Sequence, residues 1–214
     1  MLYFVVNEKK HFSFFGFFLL FIGIGGMFFT LTFDFLKTSV PNFGINQLAG
    51  FVISTIIALT GLRKINLLSA RIWDGLLFLV YLAGILFMGL RPENHGFNGP
   101  SGMLKIDLNA SFSDVSINIL GFIPLGYLML SYFLSSNRIQ KKIPVVCLTM
   151  AACIGISLLI ELSQYYIPGR SSSLSDLFFN GVGAFAGITY FLLEKRISRK
   201  KQAKKISEPS QIFN

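Results

Sequence analysis

Six long apolar runs dominate the chain, and the short segments between them carry most of its polar residues. Most runs approach the length of about 20 residues that a helix needs to cross a hydrocarbon core. Lipid offers the backbone no hydrogen-bond partners, and continuous rather than alternating apolar residues favour helices over a closed barrel. The sequence therefore predicts an all-α membrane protein with about six transmembrane helices. The runs cover residues 12–33, 45–62, 72–90, 115–134, 143–163 and 174–193.

Composition and charge support a membrane protein with both termini in the cytoplasm. Of the 214 residues 53% are hydrophobic and only 14% are charged, whereas a soluble domain carries about 25% charged residues. Of the 19 Lys and Arg residues, 15 lie in the N-terminal segment, in alternate connections and in the C-terminal tail. This alternation follows the positive-inside rule, so the net charge of +9 needs no nucleic acid to explain it. The other four basic residues lie in the remaining, outer connections: Lys37, Arg91, Lys105 and Arg170.

The predicted organisation has three parts. Residues 1–104 hold the first three helices and most of a long outer connection, and residues 105–193 hold the other three. Residues 194–214 form a basic cytoplasmic tail that we expect to touch anionic lipid. Nothing in the sequence indicates the oligomeric state.

The residues best suited to metals or disulfides are poorly placed for either. Cys147 and Cys153 lie six residues apart on one predicted helix, too far apart along its axis to bridge each other. His11 and His95 have no Cys, His or carboxylate at metal-ligand spacing. The sequence therefore predicts no metal site and no cofactor.

The fourth and sixth predicted helices open with the same pattern, Asp-x-x-x-Asn-x-x-Gly. The first copy consists of Asp114, Asn118 and Gly121. The second copy begins 62 residues later and consists of Asp176, Asn180 and Gly183. Both helices run from the outside inwards under the charge rule. Because residues four apart share a helix face, each helix presents a carboxylate and an amide on one stripe.

The fifth predicted helix brings further polar groups to the same outer end. Polar groups inside a membrane are costly, so a functional site is the default interpretation. We expect a pocket open to the outer leaflet, with Gly183-x-x-x-Gly187 allowing close helix packing. The candidate ligand-binding residues are Asp114, Asn118, Ser157, Glu161, Gln164, Arg170, Asp176 and Asn180.

Structural alternatives exist for each of these residues taken alone. Asp114 and Asp176 are typical N-terminal helix caps, and the two asparagines are typical partners between helices. A carboxylate near a helix C-terminus opposes the helix dipole, so Glu161 needs a partner, and Arg170 is placed to supply one. The convergence of all of them at one depth favours a shared site.

Two stretches, "DVSINILGFIPLGYL" and "SLLIELSQYYIPGRSSSLSDLFFNGVGAFAG", resemble the VanZ-like family over residues 105–193. The family pattern has an Asn before Phe-x-Pro-x-Gly, then Glu-x-x-Gln, an Arg in the next loop, and Asp-x-x-x-Asn-x-x-Gly. The resemblance implies a bacterial integral membrane protein, in a family whose founding member is associated with resistance to the glycopeptide teicoplanin. The matching positions here are Asn118, Phe122, Pro124, Gly126, Glu161, Gln164, Arg170, Asp176, Asn180 and Gly183.

Three functions are compatible with these residues. The favoured one is a non-enzymatic envelope protein that binds a membrane lipid, a lipid-linked precursor or a lipoglycopeptide. The second is an intramembrane hydrolase or transferase, with Glu161 and Asp176 as general acid and base and Arg170 stabilising negative charge. No nucleophile elbow, zinc motif or Ser–His arrangement supports it. The third is a transporter, which the scarcity of polar groups on the inner half weakens.

Overall fold

Six α-helices form along the six apolar runs, which confirms the all-α prediction for the part of the chain described. A computed structural model describes residues 14–36, 45–64, 70–90, 106, 111–135, 142–167 and 170–207. The helices are α1 (Phe14–Leu36), α2 (Ile45–Lys64), α3 (Ala70–Gly89), α4 (Phe112–Leu134), α5 (Lys142–Gln164) and α6 (Leu174–Ser207).

Three of the helices are long and apolar enough to cross a membrane. The qualifying stretches are Phe112–Leu134 in α4, Ile143–Gln164 in α5 and Leu174–Ala203 in α6. The first three helices contribute shorter apolar segments, which begin at Phe18, Ala49 and Asp74. The helices are therefore of the membrane type, while six spans and two cytoplasmic termini remain predictions.

The chain divides into two compact units, Met1–Met88 and Gly89–Asn214. In the first unit α1 and α2 pack tightly, because Gly61 of α2 lies against the backbone of Leu20 with no room for a Cβ atom. The predicted domain boundary between residues 104 and 105 lies outside the described residues.

In the second unit α4 and α6 lie side by side and run in the same direction. A Cβ atom on Gly183 would fall on the carbonyl oxygen of Ile119, and one on Gly187 would fall on that of Ile123. Contacts that advance together along both chains require parallel helices. The small residues predicted to permit close packing therefore lie at a close backbone crossing.

α5 also lies in the second unit, and it runs against the direction of α6. Ser157 of α5 contacts Asn180, whereas Glu161, one turn later in α5, contacts Ser173 at the start of α6. Parallel α4 and α6 with an opposed α5 is the arrangement expected of three consecutive spans. The outer ends predicted for these helices are brought together in this way.

α6 extends well beyond the apolar run that predicted it. The run ends at residue 193, but the helix continues to Ser207 and contains 34 residues. At about 1.5 Å per residue the helix is about 51 Å long, against about 30 Å for a hydrocarbon core. Lys, Arg, Gln and Ala all favour helix, and no Gly or Pro intervenes before Pro209. The first part of the predicted basic tail is therefore helical.

Candidate functional site

The start of α6 is organised by the short serine run that precedes it. Ser173 is the N-cap: its carbonyl oxygen accepts the Leu177 N–H at 3.3 Å, and its hydroxyl oxygen accepts the Ser175 N–H at 3.1 Å. Serine is among the preferred N-cap residues because its hydroxyl satisfies an N–H that the helix leaves unpaired. The chain therefore turns into α6 at a defined residue.

Glu161 of α5 accepts a hydrogen bond from the backbone N–H of this N-cap residue. Its Oε2 atom accepts the Ser173 N–H at 2.8 Å, and the residue is only 2% exposed. In a capping box that N–H is accepted by the third residue of the same helix, here Asp176. Glu161 instead caps α6 from the neighbouring helix. A carboxylate that opposes the dipole of its own helix is in this way compensated by the positive end of the next.

Asn180 lies deeper, between α5 and α6, and only one end of its amide has a partner. Asn180 is 3% exposed, and its Nδ2 atom donates to Ser157 Oγ at 2.8 Å. Among the residues that the structure describes, Asn180 Oδ1 and Ser172 Oγ are buried polar atoms without a hydrogen-bond partner. Such an unsatisfied atom costs about 1–3 kcal/mol. Exceptions of this kind in native structures call for an explanation, such as a bound group or water.

Arg170 and Asp176 lie near Glu161. Both are half-buried, and both lie within electrostatic range of the Glu161 carboxyl. The Arg170 N–H donates to Ile167 O at 3.2 Å, which places Arg170 at the end of a turn leaving α5. The connection thus brings one guanidinium and one further carboxylate to Glu161.

We refer to these residues together as the α5–α6 polar cluster. Its members come from the last two turns of α5, the connection, and the first two turns of α6. They are Ser157, Glu161, Arg170, Ser172, Ser173, Asp176 and Asn180.

Gln164 lies outside this cluster and forms a hydrogen bond to the backbone. Its Nε2 atom donates to the carbonyl oxygen of Gly89 at 2.8 Å, and the residue is 8% exposed. Gly89 is the last residue of α3, where carbonyl groups have no partner within the helix. The predicted site residue therefore uses one of its amide hydrogens to hold a helix end.

The residues predicted on α4 separate into two environments. Asp114 is exposed, and Ser111 at the N-cap donates its hydroxyl to Asp114 Oδ2 at 2.7 Å and accepts the Asp114 N–H at 3.1 Å. The N-cap of α4 is therefore Ser111 and not Asp114, which is the third residue of the helix and bonds to the cap. Asn118 is half-buried. Because Ile119 faces Gly183, the backbone of Asn118 lies within about 3 Å of Asn180 in depth.

The sequence prediction does not include Ser172 and Ser173, because no histidine accompanies them, although Ser-x-x-Asp before an apolar run is a helix-start signal. The repeated pattern is also longer than Asp-x-x-x-Asn-x-x-Gly: both helices contain Ser-x-Ser-Asp-x-x-x-Asn-x-x-Gly, beginning at Ser111 and at Ser173. At the second copy, a carboxyl group from another helix accepts the N–H of the N-cap residue.

The cluster is rich in hydrogen-bonding groups. It contains one guanidinium, two carboxyl groups, serine hydroxyls and an amide. No group of three or more His, Cys, Asp or Glu side chains that could hold a metal ion occurs among the described residues. Groups of the kinds found in the cluster can bind a polar ligand by charge and hydrogen bonds.

Comparison with known proteins gives one match. A family model described as VanZ/LLP1 matches residues 17–195, which extends from α1 to the beginning of the basic part of α6. The match therefore includes helices that carried no recognisable motif in the sequence. No curated protein and no solved structure matches the chain.

Proposed function

The chain belongs to the VanZ/LLP1 family, and we propose that it is a multi-pass envelope protein whose α5–α6 polar cluster binds an amphiphile. The ligand would be a membrane lipid, a lipid-linked precursor or a lipoglycopeptide of the teicoplanin type. Its head group would enter the cluster from the outer leaflet. In this proposal both termini face the cytoplasm, as the distribution of Lys and Arg favours.

The observation that carries the proposal is the pair of unsatisfied buried atoms, Asn180 Oδ1 and Ser172 Oγ. They belong to a polar region at the ends of two helices whose candidate membrane spans are otherwise largely apolar. Two such atoms together cost about 2–6 kcal/mol if nothing binds them. A bound head group would remove that cost, which gives the chain a reason to keep polar residues there.

The surroundings of the cluster support a ligand with an acyl chain. Leu159 lies between Ser157 and Glu161 in sequence and is 64% exposed, while Phe178 lies between Asp176 and Asn180 and is 66% exposed. Each helix therefore turns an apolar face outwards beside its polar residues. In a bilayer such faces contact lipid tails, so an amphiphile can keep its chain in the membrane while its head enters the cluster.

The alternative is an intramembrane hydrolase or transferase acting on an envelope lipid. Its specific support is that Glu161, buried and bonded to a backbone N–H, lies within electrostatic range of Asp176 and Arg170. Two neighbouring carboxylates in different environments are a common basis for acid–base catalysis. The two functions predict different effects of the same substitutions.

The test uses Arg170→Ala, Asp176→Asn and Asn180→Leu, with expression matched to the parent. Ser163→Ala is the control, because Ser163 is an exposed residue near the end of α5 whose hydroxyl bonds its own helix at Leu159 O. Lipoglycopeptide susceptibility, drug retained at the cell surface, and the membrane lipid profile are measured in parallel.

A binder is expected to lose retained amphiphile with an unchanged lipid profile, whereas an enzyme would change a lipid product. The proposal fails if all three cluster variants express and behave as the parent does in every assay. Changed drug susceptibility in the Ser163→Ala control would show that the effect is not specific to the cluster.

A further inference from the structure

We propose that the ligand group reaching the deepest part of the α5–α6 polar cluster is a hydrogen-bond donor, an ammonium or a hydroxyl, and not a phosphate or carboxylate. This inference rests on the proposed function, since it specifies the head group of the amphiphile bound there. It follows from the acceptor left open at Asn180 and from the charges around it.

Asn180 offers an acceptor and nothing else. Its Nδ2 atom already donates to Ser157 Oγ at 2.8 Å, while Oδ1 is buried without a partner. An amide oxygen can only accept hydrogen bonds. Ser172 Oγ, the other buried atom without a partner, can either donate or accept, so it adapts to whatever Asn180 requires. The group that satisfies Oδ1 must therefore carry an N–H or O–H.

Glu161 occupies part of the helix start that could otherwise attract an anion. Backbone N–H groups at such an end commonly bind phosphate, but the Ser173 N–H donates to the Glu161 carboxyl at 2.8 Å and the Ser175 N–H donates to Ser173 Oγ at 3.1 Å. A phosphate entering beside Glu161 would therefore meet a carboxyl group at the N-cap.

The charges of the cluster act in the same direction. Glu161 has Asp176 and Arg170 within electrostatic range, so two carboxyl groups face one guanidinium. The three groups carry no net positive charge, whether Glu161 is neutral or ionised. They therefore offer no net attraction to an anion, whereas a neutral or cationic donor is accepted beside them.

Arg170 gives the head group a second contact. It is half-buried in the connection before α6, whereas Asn180 is 3% exposed. A phosphate attached to the glycerol of a phospholipid can meet the guanidinium in the connection, while the terminal donor group reaches the amide. Two head groups supply the donor: the ammonium of phosphatidylethanolamine, whose phosphate can also meet Arg170, and the hydroxyls of a neutral glycolipid, which has no phosphate.

Lipid selectivity of the full chain tests the inference without any substitution. The chain is purified in detergent and offered phosphatidylethanolamine, phosphatidylcholine, diglucosyl diacylglycerol or phosphatidic acid with identical acyl chains. Retention is measured by native mass spectrometry. Phosphatidylcholine is the matched comparison, because it has the phosphate and positive charge of phosphatidylethanolamine but no N–H.

We expect at least one donor lipid to bind about fivefold or more tightly than phosphatidylcholine and phosphatidic acid, the effect of about one buried hydrogen bond. Preference for phosphatidylethanolamine identifies an ammonium as the donor, and preference for the glycolipid identifies a hydroxyl. Asn180→Leu and Ser172→Ala are expected to reduce this preference, whereas Ser163→Ala leaves it intact.

Two outcomes distinguish failure of the donor inference from failure of the proposed function. If phosphatidylcholine or phosphatidic acid binds as well as the donor lipids, and the binding still depends on Asn180 and Arg170, the donor inference is wrong while the proposed function stands. If no lipid is retained above the level seen with Asn180→Leu and Arg170→Ala, the donor inference is wrong, and the proposed function fails as well if those variants also leave lipoglycopeptide retention unchanged. Should Asn180→Leu not fold, Asn180→Ala decides the same question, because it also removes the Oδ1 acceptor.

Discussion

The Glu161 carboxylate of α5 accepts a hydrogen bond of 2.8 Å from the main-chain N–H of Ser173, the residue that caps α6. A side chain of one helix thus completes the start of the next. This bond fixes the last turn of α5 against the first turn of α6. It also places Glu161 where an anion would otherwise bind.

Two substitutions separate the acceptor of Glu161 from its charge. Glu161→Gln keeps an acceptor for the Ser173 N–H and removes a charge that burial disfavours, so we expect a change in stability of about 1 kcal/mol or less. Glu161→Ala leaves the Ser173 N–H unsatisfied and is expected to cost about 1–3 kcal/mol. Thermal unfolding in detergent measures both changes. Equal melting temperatures for the parent and the Ala variant would contradict this role.

The close crossing of α4 and α6 predicts a strong effect of a single methyl group. A Cβ atom at Gly183 would fall on the carbonyl oxygen of Ile119, so Gly183→Ala must separate the helices, at a cost of about 1–3 kcal/mol. Gly155 of α5 is the matched control, because a Cβ atom there meets nothing within 4 Å.

Gly155→Ala is therefore expected to be neutral or to stabilise by about 0.5–1 kcal/mol through helix propensity. The measurement is again the melting temperature in detergent, taken for both variants under the same conditions. If Gly183→Ala proves as harmless as Gly155→Ala, the helices do not cross as closely as described.

The bond between Asn180 and Ser157 predicts energetic coupling. Both residues are almost fully buried and their side chains meet at 2.8 Å. In a double-mutant cycle with Asn180→Ala and Ser157→Ala, we expect a coupling energy of about 0.5–1.5 kcal/mol. Additive effects of the two substitutions would show that the side chains do not interact in the membrane.

The basic end of α6 predicts the topology of the chain. Replacing Lys195, Arg196, Arg199, Lys200 and Lys201 by Gln keeps helix propensity but removes the charge that, under the positive-inside rule, is predicted to hold this end in the cytoplasm. A reporter at the C-terminus that is active on only one side of the membrane is expected to become heterogeneous. Exchanging Lys and Arg for one another serves as the control and should leave it cytoplasmic. A parent C-terminus found outside would overturn the predicted orientation.

The sequence was sufficient to predict the helices because continuous apolar runs can satisfy their backbones in lipid only in a few ways. The sequence did not predict where α6 ends, because the fall in hydropathy at residue 193 marks the end of the apolar run and not the end of the helix. Lys, Arg and Ala continue the helix to Ser207 because they favour helical backbone.

Depth matching also predicted that polar residues of α5 and α6 lie together, because residues four apart share a face and adjacent helices alternate in direction. The structure places Ser157 beside Asn180 and Glu161 beside Ser173. Depth matching could not decide which polar groups satisfy one another. The partner of Glu161 is a backbone N–H, and that of Gln164 is the carbonyl oxygen of Gly89. Nearly every residue has the same backbone N–H and C=O groups, so a pattern of side chains cannot predict which of them these residues contact.

The most direct measurement of the central claim is an experimental structure of the full chain in a lipid nanodisc, at a resolution that shows bound head groups. We predict non-protein density of an amphiphile beside the α5–α6 polar cluster, with a polar atom about 2.7–3.2 Å from Asn180 Oδ1. An Asn180 amide satisfied entirely by ordered water or by protein groups, with no amphiphile between α5 and α6, would contradict the account.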